Sequence, residues 1–299
     1  MIAYLSHPEC LAHDTGAHPE QSARLHAVRD GLVATGRISL VSEIEAPIAD
    51  VSQIVRVHDA DYVNSIIDSA PEEGIVAMDM ETILSAGSLK AAFRAVGAGI
   101  RSVDLVLDGE FGSAFCAVRP PGHHAEHTRA MGFCLFNNAA AAAAHALDVH
   151  GAGRVAIVDF DVHHGNGTED IFRDDERVFL ASVFEHPWYP YSGLEETRPG
   201  IVNVPLPAGT RSDAYRSAFS ECVLEPLSTS GADLLVFSAG FDAHVRDPLG
   251  NFHLTEDDFR WITRSCRDAL SVPVVSMLEG GYDLTALSRS VGAHLDGLL

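Results

Sequence analysis

The feature that most constrains this chain is an alternation. Short apolar runs at 115–118, 155–160, 178–183, 201–204, 234–238 and 274–278 are continuous rather than period-two. That is the pattern of strands covered on both faces. Between them lie stretches with helical patterning at 21–35, 61–69, 85–107, 138–149, 213–229, 256–270 and 284–298. Asn138, before a run of alanines, and Thr255, before Glu256, read as N-caps. Strand-then-helix repetition predicts an α/β fold, a mainly parallel sheet with helices on both faces. No Pro/Gly/Ser linker, charge block or internal repeat divides residues 1–299, so the expectation is a single domain.

In such sheets ligands bind beyond the carboxyl ends of the strands. The unusual residues sort to that edge. His123-His124 follow the run at 115–118, and Asp161, His163 and His164 follow 155–160. Asp242 follows 234–238, and Glu279-Gly280-Gly281-Tyr282 follow 274–278. Residues placed for packing alone would not be expected to gather there.

Asp159-Phe160-Asp161-Val162-His163-His164 closes the second of these runs. Residues two apart share a side of an extended chain, so Asp161 and His163 can reach one ion together. Carboxylate with imidazole suits a borderline divalent metal such as Zn²⁺, and Asp242 is the obvious third ligand. Three protein ligands leave room for water and a substrate oxygen, the pattern of a catalytic site. Taken alone, Asp242 reads equally as a buried structural carboxylate. His164 points away from His163 and reads as a structural hydrogen-bonder. Asp159 shares Asp161's side, and a supporting role to a histidine or a monovalent cation fits it better than direct ligation. The tandem His123-His124, on a loop stiffened by Pro120 and Pro121, reads as an acid/base pair with one imidazole neutral and one more positive. Tyr282, after two glycines, could donate to an oxyanion or simply pack in the core.

The net charge of −22, from 42 acidic and 20 basic residues, excludes a basic nucleic-acid face and docking on anionic lipid. It favours solubility, with a weak bias toward cationic substrates. No long apolar segment spans a membrane, and the first residues lack the pattern of a secretory signal. The five cysteines are scattered without a CxxC pair, which predicts buried, inert thiols and a cytoplasmic location.

Six segments together resemble the zinc-dependent histone deacetylase superfamily, which also holds acetylpolyamine amidohydrolases. They are HPEQSARL (18–25), RPPGHHAE (119–126), GFCLFNNAA (132–140), VDFDVHHGNGT (158–168), SAGFDAHVRDPLG (238–250) and LEGGYDL (278–284). RPPGHHAE, HHGNGT and LEGGY look like the class II branch and its bacterial relatives. The resemblance implies an arginase-like three-layer α/β fold and one catalytic Zn²⁺ on Asp161, His163 and Asp242. His123 and His124 would be the catalytic pair, with His124 as general base and Tyr282 polarising the substrate carbonyl. Asp159 would support His123. Asn166 stands where some members carry an Asp supporting His124, and an uncharged amide there should leave His124 harder to protonate. Gly132, Phe133 and Tyr189 would line a narrow channel, the tyrosine standing where many members have phenylalanine. A structural K⁺ would fall on Asp159, Asp161, His163, Ser182 and Val183, mostly through main-chain carbonyls.

The implied chemistry is hydrolysis of an N-acyl amine without a covalent acyl-enzyme. Leu249 stands where polyamine-preferring members place an acid, so acyl-lysine in peptides or proteins is the expected substrate. Acetylpolyamines and other small acyl-amines are the alternative. Asp247 is placed at the channel mouth and Glu279 beside Tyr282. Two further readings are an arginase-type enzyme with two Mn²⁺, which would recruit Asp159, His164 and His244, and a non-catalytic binder of acylated ligands. The sequence leaves the oligomeric state open, a homo-oligomer included.

Overall fold

The computed structural model describes residues 1–195 and 197–299. Its strands are β1 (Ile2–Ser6), β2 (Val41–Glu45), β3 (Ile75–Ala77), β4 (Ile83–Ser85), β5 (Ser113–Cys116), β6 (Val155–Asp159), β7 (Val178–Glu185), β8 (Ile201–Leu206), β9 (Leu234–Ala239) and β10 (Val274–Leu278). All but β3 and β4 join one sheet in the order β2-β1-β5-β10-β9-β6-β7-β8, and every neighbouring pair in it is parallel. β3 and β4 form a separate antiparallel hairpin.

The helices are α1 (Ala23–Ala34), α2 (Val51–Ile54), α3 (Ala60–Ser69), α4 (Ser88–Leu107), α5 (Asn138–Asp148), α6 (Asn166–Phe172), α7 (Ser212–Phe219), α8 (Glu225–Ser228), α9 (Glu256–Leu270) and α10 (Leu284–Leu298). β5, β6, β7, β9 and β10 are buried along their whole length, as continuous apolar runs require when a sheet is covered on both faces. No helix of the described residues is long and apolar enough to cross a membrane.

Three expectations need correction. The N-cap of α5 is Asn137, whose side chain accepts from the Ala140 N–H; Asn138 is already helical and donates its amide to the Pro120 carbonyl instead. The helix expected over 213–229 is broken into α7, a π-helical turn at Ser220–Leu224 and α8. Pro226 has no N–H to give to the preceding turn and its ring crowds a carbonyl there, so the backbone widens just before it. Of the cysteines, four are buried but Cys222 is exposed. Thr255 does cap α9, in a reciprocal capping box with Asp258.

The central four strands of the sheet, β5-β10-β9-β6, are adjacent although they are far apart in sequence. The register sets Cys116 beside Met277, Met277 beside Ser238, and Ser238 beside Asp159. The polar segments that follow these strands therefore emerge side by side at one edge, which is what assembles the site.

Candidate active site

Two of the four segments meet as a ligand cluster. One potential donor atom from each of Asp161, His163 and Asp242 lies within 4.8 Å of the others, and all three residues are buried. His163 Nδ1 is 2.9 Å from Asp161 Oδ1 and 3.2 Å from Asp242 Oδ2. The backbone fixes both carboxylates: Asp161 accepts from the His163 and Gly280 N–H groups, and Asp242 Oδ1 from that of Val162. Burial and the adjacent Asp161 carboxylate push Asp242 up to about 7. Burial also opposes a charged His163, but Asp161 and Asp242 together hold it well above the usual imidazole value.

These residues fit a divalent cation. Asp242 Oδ2 is buried with no donor in line with it, His163 Nδ1 being near but poorly directed. Two carboxylates face one imidazole, leaving negative charge that a 2+ ion would balance. The space is kept clear by glycine: a Cβ at Gly280 would stand 2.0 Å from Asp242 Oδ2, and one at Gly240 would stand 2.1 Å from Asp161 Oδ2. The extra ligands a second ion would need are engaged elsewhere. Asp159 binds His123. His164 bonds Ser192 and Glu169, the structural role its orientation suggested. His244 stands 3.7 Å from Glu256.

The tandem histidines lie beside this cluster, buried, with ring centroids 3.9 Å apart. Their environments differ. His123 Nδ1 is 2.9 Å from Asp159 Oδ2, and its Nε2 is 3.7 Å from Asp161 Oδ2. Burial works against charging His123, yet Asp161 and Asp159 outweigh it and raise the group to about 10. His124 Nδ1 instead meets the neutral Asn166 Oδ1 at 2.8 Å. Burial, reinforced by His123 and His163, takes His124 well below the usual value. One imidazole is thus held charged and the other neutral.

His124 and His163 sit at the buried end of a cavity of about 310 Å³ that is also lined by Glu81, Gly132, Phe133, Trp188, Tyr189, Tyr191, Leu249 and Tyr282. Tyr189 stands edge-on to both His124 and His163, at 5.2 and 6.1 Å between centroids. Phe133 stands edge-on to Tyr282 at 5.9 Å. Burial keeps the Tyr282 hydroxyl protonated, its value far above the ordinary phenol range. Gly132 has φ +55°, and a Cβ there would lie 2.3 Å from His124 Cδ2, so no other residue fits. Leu249 lines the cavity, and its carbonyl accepts from Trp188 Nε1. Ser182 neighbours Asp159 across the β6–β7 ladder, and its hydroxyl accepts from the Gly165 N–H, with Val183 next along β7.

Several supporting residues take partners that their sequence positions alone do not indicate. Asp247, placed at the channel mouth by sequence, is buried and accepts from the Tyr282, Asp283 and Leu249 N–H groups, so it holds the Tyr282 turn. Glu279 accepts from the Gly122 and His123 N–H groups and is raised to about 7 by burial. Glu20 bridges two buried arginines, Arg24 at 3.0 Å and Arg119 at 2.5 Å. Arg24 in turn donates to the Gly281 and Glu279 carbonyls and lies over the Tyr282 ring. The acid and arginine of HPEQSARL were the available signal, since a buried brace needs paired charges.

A sequence profile of the histone deacetylase domain matches residues 18–298. Histone deacetylase 14, chloroplastic, of Arabidopsis thaliana is 36% identical over 315 residues, covering 97% of this chain and 74% of its own length. The histone deacetylase-like amidohydrolase of Pseudomonas aeruginosa is 37% identical over 275 residues, 88% of this chain and 71% of its own. Among solved structures, the HDA15 HD domain superposes with a TM-score of 0.94 at 34% identity, over 99% of this chain and 89% of that one.

Proposed function

The chain belongs to the histone deacetylase family, and from that membership we propose that it removes acetyl or other acyl groups from the ε-amine of lysine in peptides or proteins. The observation that carries the reading is the division of two adjacent imidazoles into one charged and one neutral beside a three-ligand cluster. Zn²⁺ held by Asp161, His163 and Asp242 would polarise the acyl carbonyl and acidify a water molecule.

The chain's own groups do the rest. His124, neutral, takes the proton as water attacks. His123, kept charged by Asp159, steadies the developing negative charge, and the pair returns a proton to the departing amine. The Tyr282 hydroxyl donates to the tetrahedral oxyanion. Phe133 and Tyr189 wall the acyl-bearing chain and keep bulk water out, and Gly132 offers its carbonyl beside the substrate amide. A structural K⁺ on the Asp159, Asp161, His163, Ser182 and Val183 segment would stiffen the strand ends under the ligands. Residues 1–299 act as one catalytic domain.

Leu249 on the cavity wall favours lysine side chains over substrates that need an acid at that position. Glu81, exposed on the same cavity, favours substrates with a further positive charge, so acetylpolyamines are the second reading. The test is kcat/KM on acetyl-lysine peptides, longer acyl-lysines and acetylpolyamines, each with a chelator control. The expected order puts acyl-lysine first, with activity abolished by the chelator. A preference for acetylpolyamines above about tenfold (about 1.4 kcal/mol) overturns the lysine assignment, and no turnover of any substrate overturns the enzyme.

A further inference from the structure

We propose that Glu126 is a positioning residue that sets the tautomer of His124 by orienting Asn166; this rests on the reading of His124 as the base. An aspartate at position 166 would need no such help, because both of its oxygens accept. A neutral amide has one accepting end and one donating end, and something must choose between them.

Glu126 makes that choice. Asn166 Nδ2 lies 2.8 Å from Glu126 Oε1 and 3.3 Å from Met131 Sδ, both of which accept. Reversing the amide would set its carbonyl oxygen against a carboxylate with no proton between them. Asn166 Oδ1 is therefore turned to His124 Nδ1, 2.8 Å away, and Nδ1 must carry the proton of that contact. A neutral imidazole protonated at Nδ1 has its free lone pair at Nε2, which is the state a proton acceptor needs.

Glu126 is itself held. Arg129 Nη2 stands 2.9 Å from the same Oε1, and the two residues exchange backbone hydrogen bonds across an isolated bridge. Glu126, Arg129, Met131 and Asn166 line a cavity of 380 Å³ that also takes in His164 and Glu169, residues that do not line the cleft holding Tyr282. The orienting group thus sits behind the base, out of reach of substrate. Glu126 lies in RPPGHHAE, two residues after the histidine it serves, and Asn166 comes from the start of α6.

The test uses zinc-loaded protein with ¹⁵N-labelled histidine. The ring nitrogen shifts of His124, assigned by a His124→Ala variant, report the tautomer directly. Wild type is expected to show the Nδ1–H form. Glu126→Gln, which can donate where the carboxylate only accepted, is expected to give the other tautomer or a mixture. Its kcat should fall about tenfold with KM within about twofold. The swap Glu126→Gln with Asn166→Asp restores an acceptor facing His124 and a donor behind it. It is expected to return the Nδ1–H form and most of kcat, which a purely structural lesion would not allow. An unchanged tautomer in Glu126→Gln, or a swap that rescues neither shift nor kcat, overturns the proposal. Absence of turnover in wild type would strike at the deacetylase reading, and the nitrogen shifts would still decide the role of Glu126.

Discussion

Asp161, His163 and Asp242 come within 4.8 Å of one another, and so do Asp104, His145 and His150 on the outside of the sheet. The residue types are alike and the two clusters behave differently. In the first, two carboxylates face one imidazole, and Asp242 Oδ2 has no donor. In the second, one carboxylate oxygen already receives both histidines, His145 Nε2 at 2.8 Å and His150 Nε2 at 2.9 Å. Arg56 Nη1 lies 3.0 Å from His145 Nδ1. A guanidinium can only donate, so Nδ1 accepts and Nε2 carries the proton that goes to Asp104. An ion on that Nε2 would have to expel the proton and leave an imidazole N–H facing Arg56. Ligand types at short range are therefore not enough; an uncompensated acceptor and an excess of negative charge distinguish the cluster suited to an ion.

Four measurements would break or sharpen this contrast. Asp242→Asn is expected to strip the bound ion and to lower kcat/KM by more than about 10³, since both charge balance and ligation fail. Asp104→Asn should leave metal content and activity within about twofold. Metal analysis beside steady-state kinetics reads both, and loss of the ion in the Asp104 variant would make the clusters equivalent. Tyr282→Phe is expected to cut turnover by about 10²–10³ while the ion stays bound; full activity on an acetyl-lysine peptide removes Tyr282 from the mechanism.

Gly280→Ala comes next. Its methyl would press on Asp242 Oδ2 and Asp161 Oδ2 together, at 2.0 and 2.5 Å. Metal affinity should drop by about tenfold or more, read by competition with a chromophoric chelator. Unaltered affinity would mean that the two carboxylates can give way.

The smallest effect is on stability. His150 and His145 draw Asp104 below the usual carboxylate value, against the opposing pull of burial. A group that loses its proton more readily when folded stabilises the fold above its unfolded value, about 3.9. That contribution fades as pH falls through the lower folded value. The site is partly exposed, so solvent screening holds the effect to about 0.5 kcal/mol. Urea midpoints of wild type and Asp104→Asn should differ near pH 6 and draw together as the pH is lowered below about 3.9. A gap that persists at low pH would mean that the carboxylate's charge is not what stabilises this cluster.

How much of this was legible beforehand varied with the kind of residue. Runs such as 155–160 and 274–278 sit on both-face-covered strands, so their continuous hydrophobicity marked them clearly. β1 and β2 are not among the expected strands: Ile2–Ser6 is a short run at the start of the sequence, and Val41–Glu45 alternates as a strand at the sheet edge does. The ligands and histidines were readable because they cluster at strand ends. Glu126 was not, and Asp247 and Glu279 were placed without their partners, because a carboxylate bound to a backbone N–H or an amide leaves no spacing signal.

The sequence by itself determined the α/β layering, the sheet edge where chemistry gathers and the residue types available there, because burial on two faces and strand-end placement are written in local pattern. Only the tertiary structure decided which acids met which histidines. Strand order brings β5, β10, β9 and β6 together from distant parts of the chain. A charge's behaviour depends on the groups a few ångströms away: His123 beside Asp159 is charged, and His124 beside Asn166 is neutral.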